Sequence, residues 1–188
     1  MVYVLLAEGF ELVEAMAPVD ILRRAKVEVK TVGVTGKVVT ASNGVPVTAD
    51  LELSGATPAS LDCLVLPGGL PGTLNLEKSP EVQALLDACV EGGKLVGAIC
   101  AAPSILAHKG LLSGREATAF PSFQKDLEEG GSRLSQRFVC KDGQFITARG
   151  MGVSTQFGLK LAQALTSKET AEEIQAGIQF DKGAAGPG

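Results

Sequence analysis

The chain has 188 residues, 45% of them apolar and 20% charged, with a formal net charge of −4. That length supports one domain with a substantial core, and the balance is that of an ordinary soluble globular protein. With no Trp, one Tyr and no basic stripe, the chain lacks both the stacking platforms and the electrostatic footprint of a nucleic-acid binder.

Val2–Leu6 reads as a buried strand, and Ala7-Glu8-Gly9-Phe10 as the loop after it. Residues 11–25 carry apolar side chains at helical spacing and end in arginines suited to a helix C-terminus, with Pro18 expected to kink the helix or start a new turn. Residues 27–34 alternate apolar with charged and predict a half-exposed strand near a sheet edge. Asn43-Gly44, between Val38–Thr40 and 45–48, predicts a hairpin. The run L-D-C-L-V-L-P-G-G over 61–69 reads as another buried strand ending in two glycines. Ser79-Pro80-Glu81 opens a helix to about Glu91, with an N-cap, an N1 proline and an acidic first turn. Leu95–Ile99 is a small-residue apolar run buried on both faces, and a helix follows to about His108. A strand over 116–120, a short polar helix over 123–129 and a turn at Asp142-Gly143 come next. The last helices span 155–165 and 168–178.

Residues 1–180 are thus expected to form one domain, and 181–188 a flexible tail with nothing to bury. Strands alternating with helices argue for a mainly parallel sheet covered on both faces: a flavodoxin-like three-layer α/β/α sandwich with a small edge hairpin. The opening apolar run is too short for a signal peptide, and no run is long enough to span a bilayer. Four scattered cysteines without a C-x-x-C pair read as reduced thiols in the cytoplasm, and no ligand-spaced cluster points to a metal.

The chemistry gathers at one corner. Cys100 ends a central strand, and Ala101-Ala102-Pro103 open the next helix. Gly97, Ala98, Ala101 and Ala102 keep bulk away, as a tight strand-to-helix turn requires. A thiol there faces the free N–H groups of a helix start, which favour a thiolate. The same pattern also suits an ordinary buried cysteine. Pro67-Gly68-Gly69 closes another strand, and bare glycines let the backbone approach a ligand at the edge where open α/β sheets bind one. Together the two strand ends would supply a nucleophile and an oxyanion hole. Glu14, flanked by Leu12, Val13, Ala15 and Met16, is either a solvated helix position or an acid held in a pocket.

The motifs A-E-G-F-E-L-V-E, L-V-L-P-G-G, G-A-I-C-A-A-P and I-T-A-R-G, in this order and spacing, resemble the DJ-1/PfpI (ThiJ) superfamily, and most closely its DJ-1/YajL-like branch. The resemblance runs from Val2 to about Gln179. It implies a fold of the class I glutamine amidotransferase-like type, a homodimer and no cofactor. It makes Cys100 the reactive cysteine and Glu14 its acid partner, with Gly68, Gly69 and Ala101 forming the oxyanion and substrate pocket. Three positions depart from the family pattern. Ala101 stands where the protease-like members carry histidine, Phe120-Pro121 where many animal members have His-Pro, and Met151 where proline is usual. The one histidine, His108, lies roughly 12 Å along the helix axis from Cys100, so a Cys–His mechanism and glutamine amidotransfer are both excluded.

What survives is a Cys100–Glu14 pair sharing one negative charge, expected on sulfur with Glu14 donating to it. The resemblance implies a glutathione-independent glyoxalase or deglycase acting on methylglyoxal or glyoxal to give 2-hydroxy acids. The alternative is an oxidative-stress sensor or redox-regulated chaperone working through oxidation of Cys100.

Overall fold

Wholly apolar runs can sit only inside a sheet covered on both faces. In a computed structural model, which describes residues 1–180, β1 (Val2–Leu6) is buried along its whole length. It leads into α1 (Leu12–Arg24), and β2 (Val29–Gly33) returns parallel to β1. The Asn43-Gly44 turn joins β3 (Val38–Thr40) to β4 (Pro46–Thr48) as a separate antiparallel hairpin, and β5 (Leu51–Glu52) adds a short parallel strand beside β2. Next come the buried β6 (Cys63–Leu66), α2 (Gly72–Lys78), α3 (Pro80–Glu91) and β7 (Leu95–Ile99). The chain continues through α4 (Pro103–His108), β8 (Glu116–Ala117), α5 (Gln124–Glu129) and β9 (Arg133–Leu134). The hairpin of β10 (Val139–Asp142) with β11 (Phe145–Ala148) precedes α6 (Ser154–Leu165) and α7 (Lys168–Gly177).

The central sheet has seven strands in the order β10-β11-β7-β6-β1-β2-β5, all parallel to their neighbours except β10. Period-two alternation along β1 divides the core. Val2, Val4 and Leu6 join Ile21, Leu22, Phe157 and Leu161 on the side of α1 and α6. Tyr3 and Leu5 join Leu86, Ile105 and Leu106 on the side of α3 and α4. Each fully buried Leu, Ile or Phe contributes about 1.5–3 kcal/mol of apolar burial, so both layers hold the sheet flat against its helices. The expected flavodoxin-like sandwich is what the chain forms.

Four details differ from the expectations. Pro18 lies inside an unbroken α1; it cannot donate to the Glu14 carbonyl four residues back, and its buried ring packs instead. β2 is buried at four of its five positions, because β5 covers the edge it was expected to occupy. The strand expected over 116–120 shrinks to two residues that pair with β9 outside the main sheet. α2 was not expected at all. The flexible tail expected over 181–188 lies outside the described residues.

Candidate active site

The strand order reverses between β1 and β6, and crevices at such switch points bind ligands beyond the strands' carboxyl ends. Glu14 follows β1, Pro67-Gly68-Gly69 follows β6, and Cys100 follows β7. Those three strands are adjacent, so segments far apart in sequence meet at one edge.

Cys100 has φ of +65°, in the left-handed region that L side chains rarely adopt. Its N–H donates to the Ala148 carbonyl and its carbonyl accepts from Phe120 N–H, both at 2.9 Å. These two pins hold a backbone conformation that otherwise costs about 1–3 kcal/mol, as nucleophile turns do. Cys100 alone among the four cysteines is not buried.

Glu14 is completely buried. Its Oε2 accepts from Gly68 N–H at 2.9 Å, whereas Oε1 is buried without a hydrogen-bond partner among the described residues. Gly68 must be glycine, since a Cβ there would lie 2.6 Å from both Cys100 Cβ and Glu14 Oε2. A Cβ on Gly150, by contrast, would stand 4.0 Å from Cys100 Sγ, 3.9 Å from Glu14 Oε1 and 3.4 Å from Phe120 Cδ2. The sulfur, the unpartnered carboxyl oxygen and the Phe120 ring edge therefore border one small space, left open because residue 150 lacks a side chain.

Burial raises the Glu14 carboxyl from 4.5 to about 7; the Cys100 thiol and Gly68 N–H pull it down, and the nearby Glu11 charge pushes it up. Burial also raises the Cys100 thiol, and an ionised Glu14 adds to this, to about 12, against the lowering pull of the Ala101 and Gly69 N–H groups. Between those two values the pair holds one proton and one negative charge. This corrects the expectation of a thiol made acidic by a helix start. α4 begins only at Pro103, and burial together with an ionised Glu14 outweighs the two N–H groups near sulfur.

The residues named from sequence are thus brought together, with one reassignment. Gly68 N–H is engaged by Glu14, so Gly69 and Ala101 supply the N–H groups directed at sulfur. Gly69 takes φ of +91° to do so. His108 is away from the site, bonded through Nδ1 to Glu77 Oε1 at 2.6 Å. Glu11 was missed. It caps α1, accepting from Glu14 N–H at 2.8 Å, and its own N–H donates to the Gly68 carbonyl at 2.9 Å. Glutamate is not among the favoured N-cap residues, so only its place three residues before Glu14 could have flagged it. Phe120 and Gly150 were noticed only as a substitution and as part of a motif.

The DJ-1/PfpI family model matches residues 1–164. Protein dj-1beta of Drosophila melanogaster is 39% identical over 176 residues, covering 93% of this chain and 94% of that protein. A Pyrococcus abyssi protein named as a deglycase is 33% identical over 151 residues, covering 80% of this chain and 90% of its own. The solved structure of oxidized Toxoplasma gondii DJ-1 matches with a TM-score of 0.90 at 35% identity, over 95% of this chain and 97% of that one. A sequence match nearly end to end, a superposable fold and a cysteine–glutamate corner lead to one conclusion: this chain belongs to the DJ-1/PfpI family.

Proposed function

We propose that this protein is a glutathione-independent glyoxalase or deglycase-type enzyme that converts 2-oxoaldehydes to 2-hydroxy acids. The observation that carries the reading is the unpartnered Glu14 Oε1 bordering the same space as Cys100 Sγ. An acid placed there can hold a proton against a thiolate and then move one between two substrate carbons. The similarity to a protein named as a deglycase supports the same reaction class.

In this mechanism Cys100 thiolate adds to the aldehyde carbon, forming a C–S bond and an alkoxide stabilised by the Gly69 and Ala101 N–H groups. Glu14 protonates that oxygen, and its carboxylate then takes the hydrogen from the same carbon. The electron pair passes to the neighbouring carbonyl, whose oxygen takes up the hydroxyl proton as the enediol becomes the thioester, and Glu14 returns the abstracted proton to that second carbon. Water cleaves the resulting thioester, releasing the 2-hydroxy acid and regenerating thiolate. One carbon is oxidised and its neighbour reduced, so the step consumes only water.

Incubation with methylglyoxal in the absence of glutathione should yield lactate. Cys100→Ser should lower turnover about a thousandfold, and Glu14→Gln about a hundredfold or more, with both proteins folded. Full turnover in a folded Cys100→Ser protein would overturn the reading. A second reading, a peroxide sensor, has its own support in Cys100 being the one cysteine not buried. It predicts that peroxide modifies Cys100 alone and that the oxidised form, inactive on aldehydes, protects client proteins from aggregation.

A further inference from the structure

The reaction space has one wall that the chemistry does not use. Phe120 is 46% exposed, and its ring borders the space between Cys100 Sγ and Glu14 Oε1. Its position is fixed by two hydrogen bonds at residue 120: its N–H donates to the Cys100 carbonyl at 2.9 Å, and its carbonyl accepts from Phe123 N–H at 2.8 Å. The ring edge faces the point 3.4 Å away where a residue-150 Cβ would sit, the same point that Cys100 Sγ and Glu14 Oε1 border. Two more large apolar residues, Leu70 and Met151, are exposed directly after Gly69 and Gly150. The wall beside the sulfur is therefore an aromatic ring, which offers no hydrogen bond to a polar substituent.

Charge points the same way. The pair beneath carries one negative charge, which repels a carboxylate or phosphate on the substrate.

We infer that Phe120 is a specificity-determining residue whose ring binds the substituent R of a 2-oxoaldehyde R–CO–CHO, selecting aryl and alkyl R over hydrogen. The inference rests on the function proposed above and names its substrate class. Aromatic pairing and apolar burial against one ring give about a tenfold preference.

The test uses kcat/KM for phenylglyoxal and glyoxal with wild type, Phe120→Ala, Phe120→Leu and the exposed hairpin control Val38→Ala. The phenylglyoxal-to-glyoxal ratio should fall about tenfold in Phe120→Ala, fall less in Phe120→Leu, and stay unchanged in Val38→Ala. A second readout needs no turnover. Cys100 is alkylated by iodoacetanilide or iodoacetamide, each reaction forming a C–S bond and releasing iodide, with the modified residue mapped by mass spectrometry. The anilide-to-amide rate ratio should also fall about tenfold in Phe120→Ala. Turnover with both ratios unchanged overturns the inference and leaves the function standing. No turnover of any aldehyde, with the alkylation ratio falling, overturns the function and leaves the apolar-R site in place.

Discussion

Glu14 is a carboxyl group in a place where a carboxylate is poorly solvated, and that has a thermodynamic consequence. Its folded pKa, raised to about 7 chiefly by burial, exceeds its ordinary value of 4.5. The folded Cys100–Glu14 pair therefore holds its first proton more tightly than Glu14 does in the unfolded chain. The corresponding stability is fully present below pH 4.5 and is lost as pH rises through about 7. The shift is worth about 3 kcal/mol. Denaturant titrations of wild type should show that loss between acid and neutral pH, whereas Glu14→Gln should flatten it. An equal slope in both proteins would mean that Glu14 takes no part in this titration. Sequence left Glu14 open between a solvated and a pocketed position, because helical spacing says nothing of which face meets another strand. Only the contact with Gly68, 54 positions away, decides it.

At the scale of elements, the site is made of turns whose backbones nearly touch, and two glycines separate fold from function. Gly68→Ala would drive a Cβ to 2.6 Å from Cys100 Cβ. That variant should unfold at lower temperature and lose essentially all turnover. Gly150→Ala meets its neighbours no closer than 3.4 Å on an extended backbone, so its melting temperature should hold. Its methyl group fills the space between sulfur, acid and ring, so kcat/KM should drop about a hundredfold, as misplacement of reacting groups does. If Gly150→Ala kept full activity, the reaction space would lie elsewhere. The long helices and the Asn43-Gly44 hairpin were legible because caps, proline and turn residues act locally. Ser79, for example, accepts from Val82 N–H at 3.3 Å. α2 was not legible, since Leu70-Pro71-Gly72-Thr73 reads locally as a continued loop, and the helix packs through Leu76 into a core that is nonlocal.

For the whole molecule, alternating strands and helices revealed the layers, but which strands lie side by side is a tertiary property. The adjacency of β7, β6 and β1 turns three separate loops into one site. No helix among the described residues is long and apolar enough to cross a membrane. A homodimer, implied by the motifs, is our proposal; sedimentation should give twice the chain mass, and a persistent monomer would refute it.

We propose that Cys100 and Glu14 act as one unit, with the shared charge on sulfur and the shared proton on Glu14. The deciding measurement is thiolate absorbance followed against pH in wild type and in Glu14→Leu. Burial raises the thiol in both proteins, but only wild type offers a protonated acid to sulfur. Wild type should therefore form thiolate at lower pH than Glu14→Leu, and Glu14→Leu should be alkylated more slowly at neutrality. A wild-type thiol that becomes more acidic in Glu14→Leu would place the charge on Glu14 and rule this pairing out.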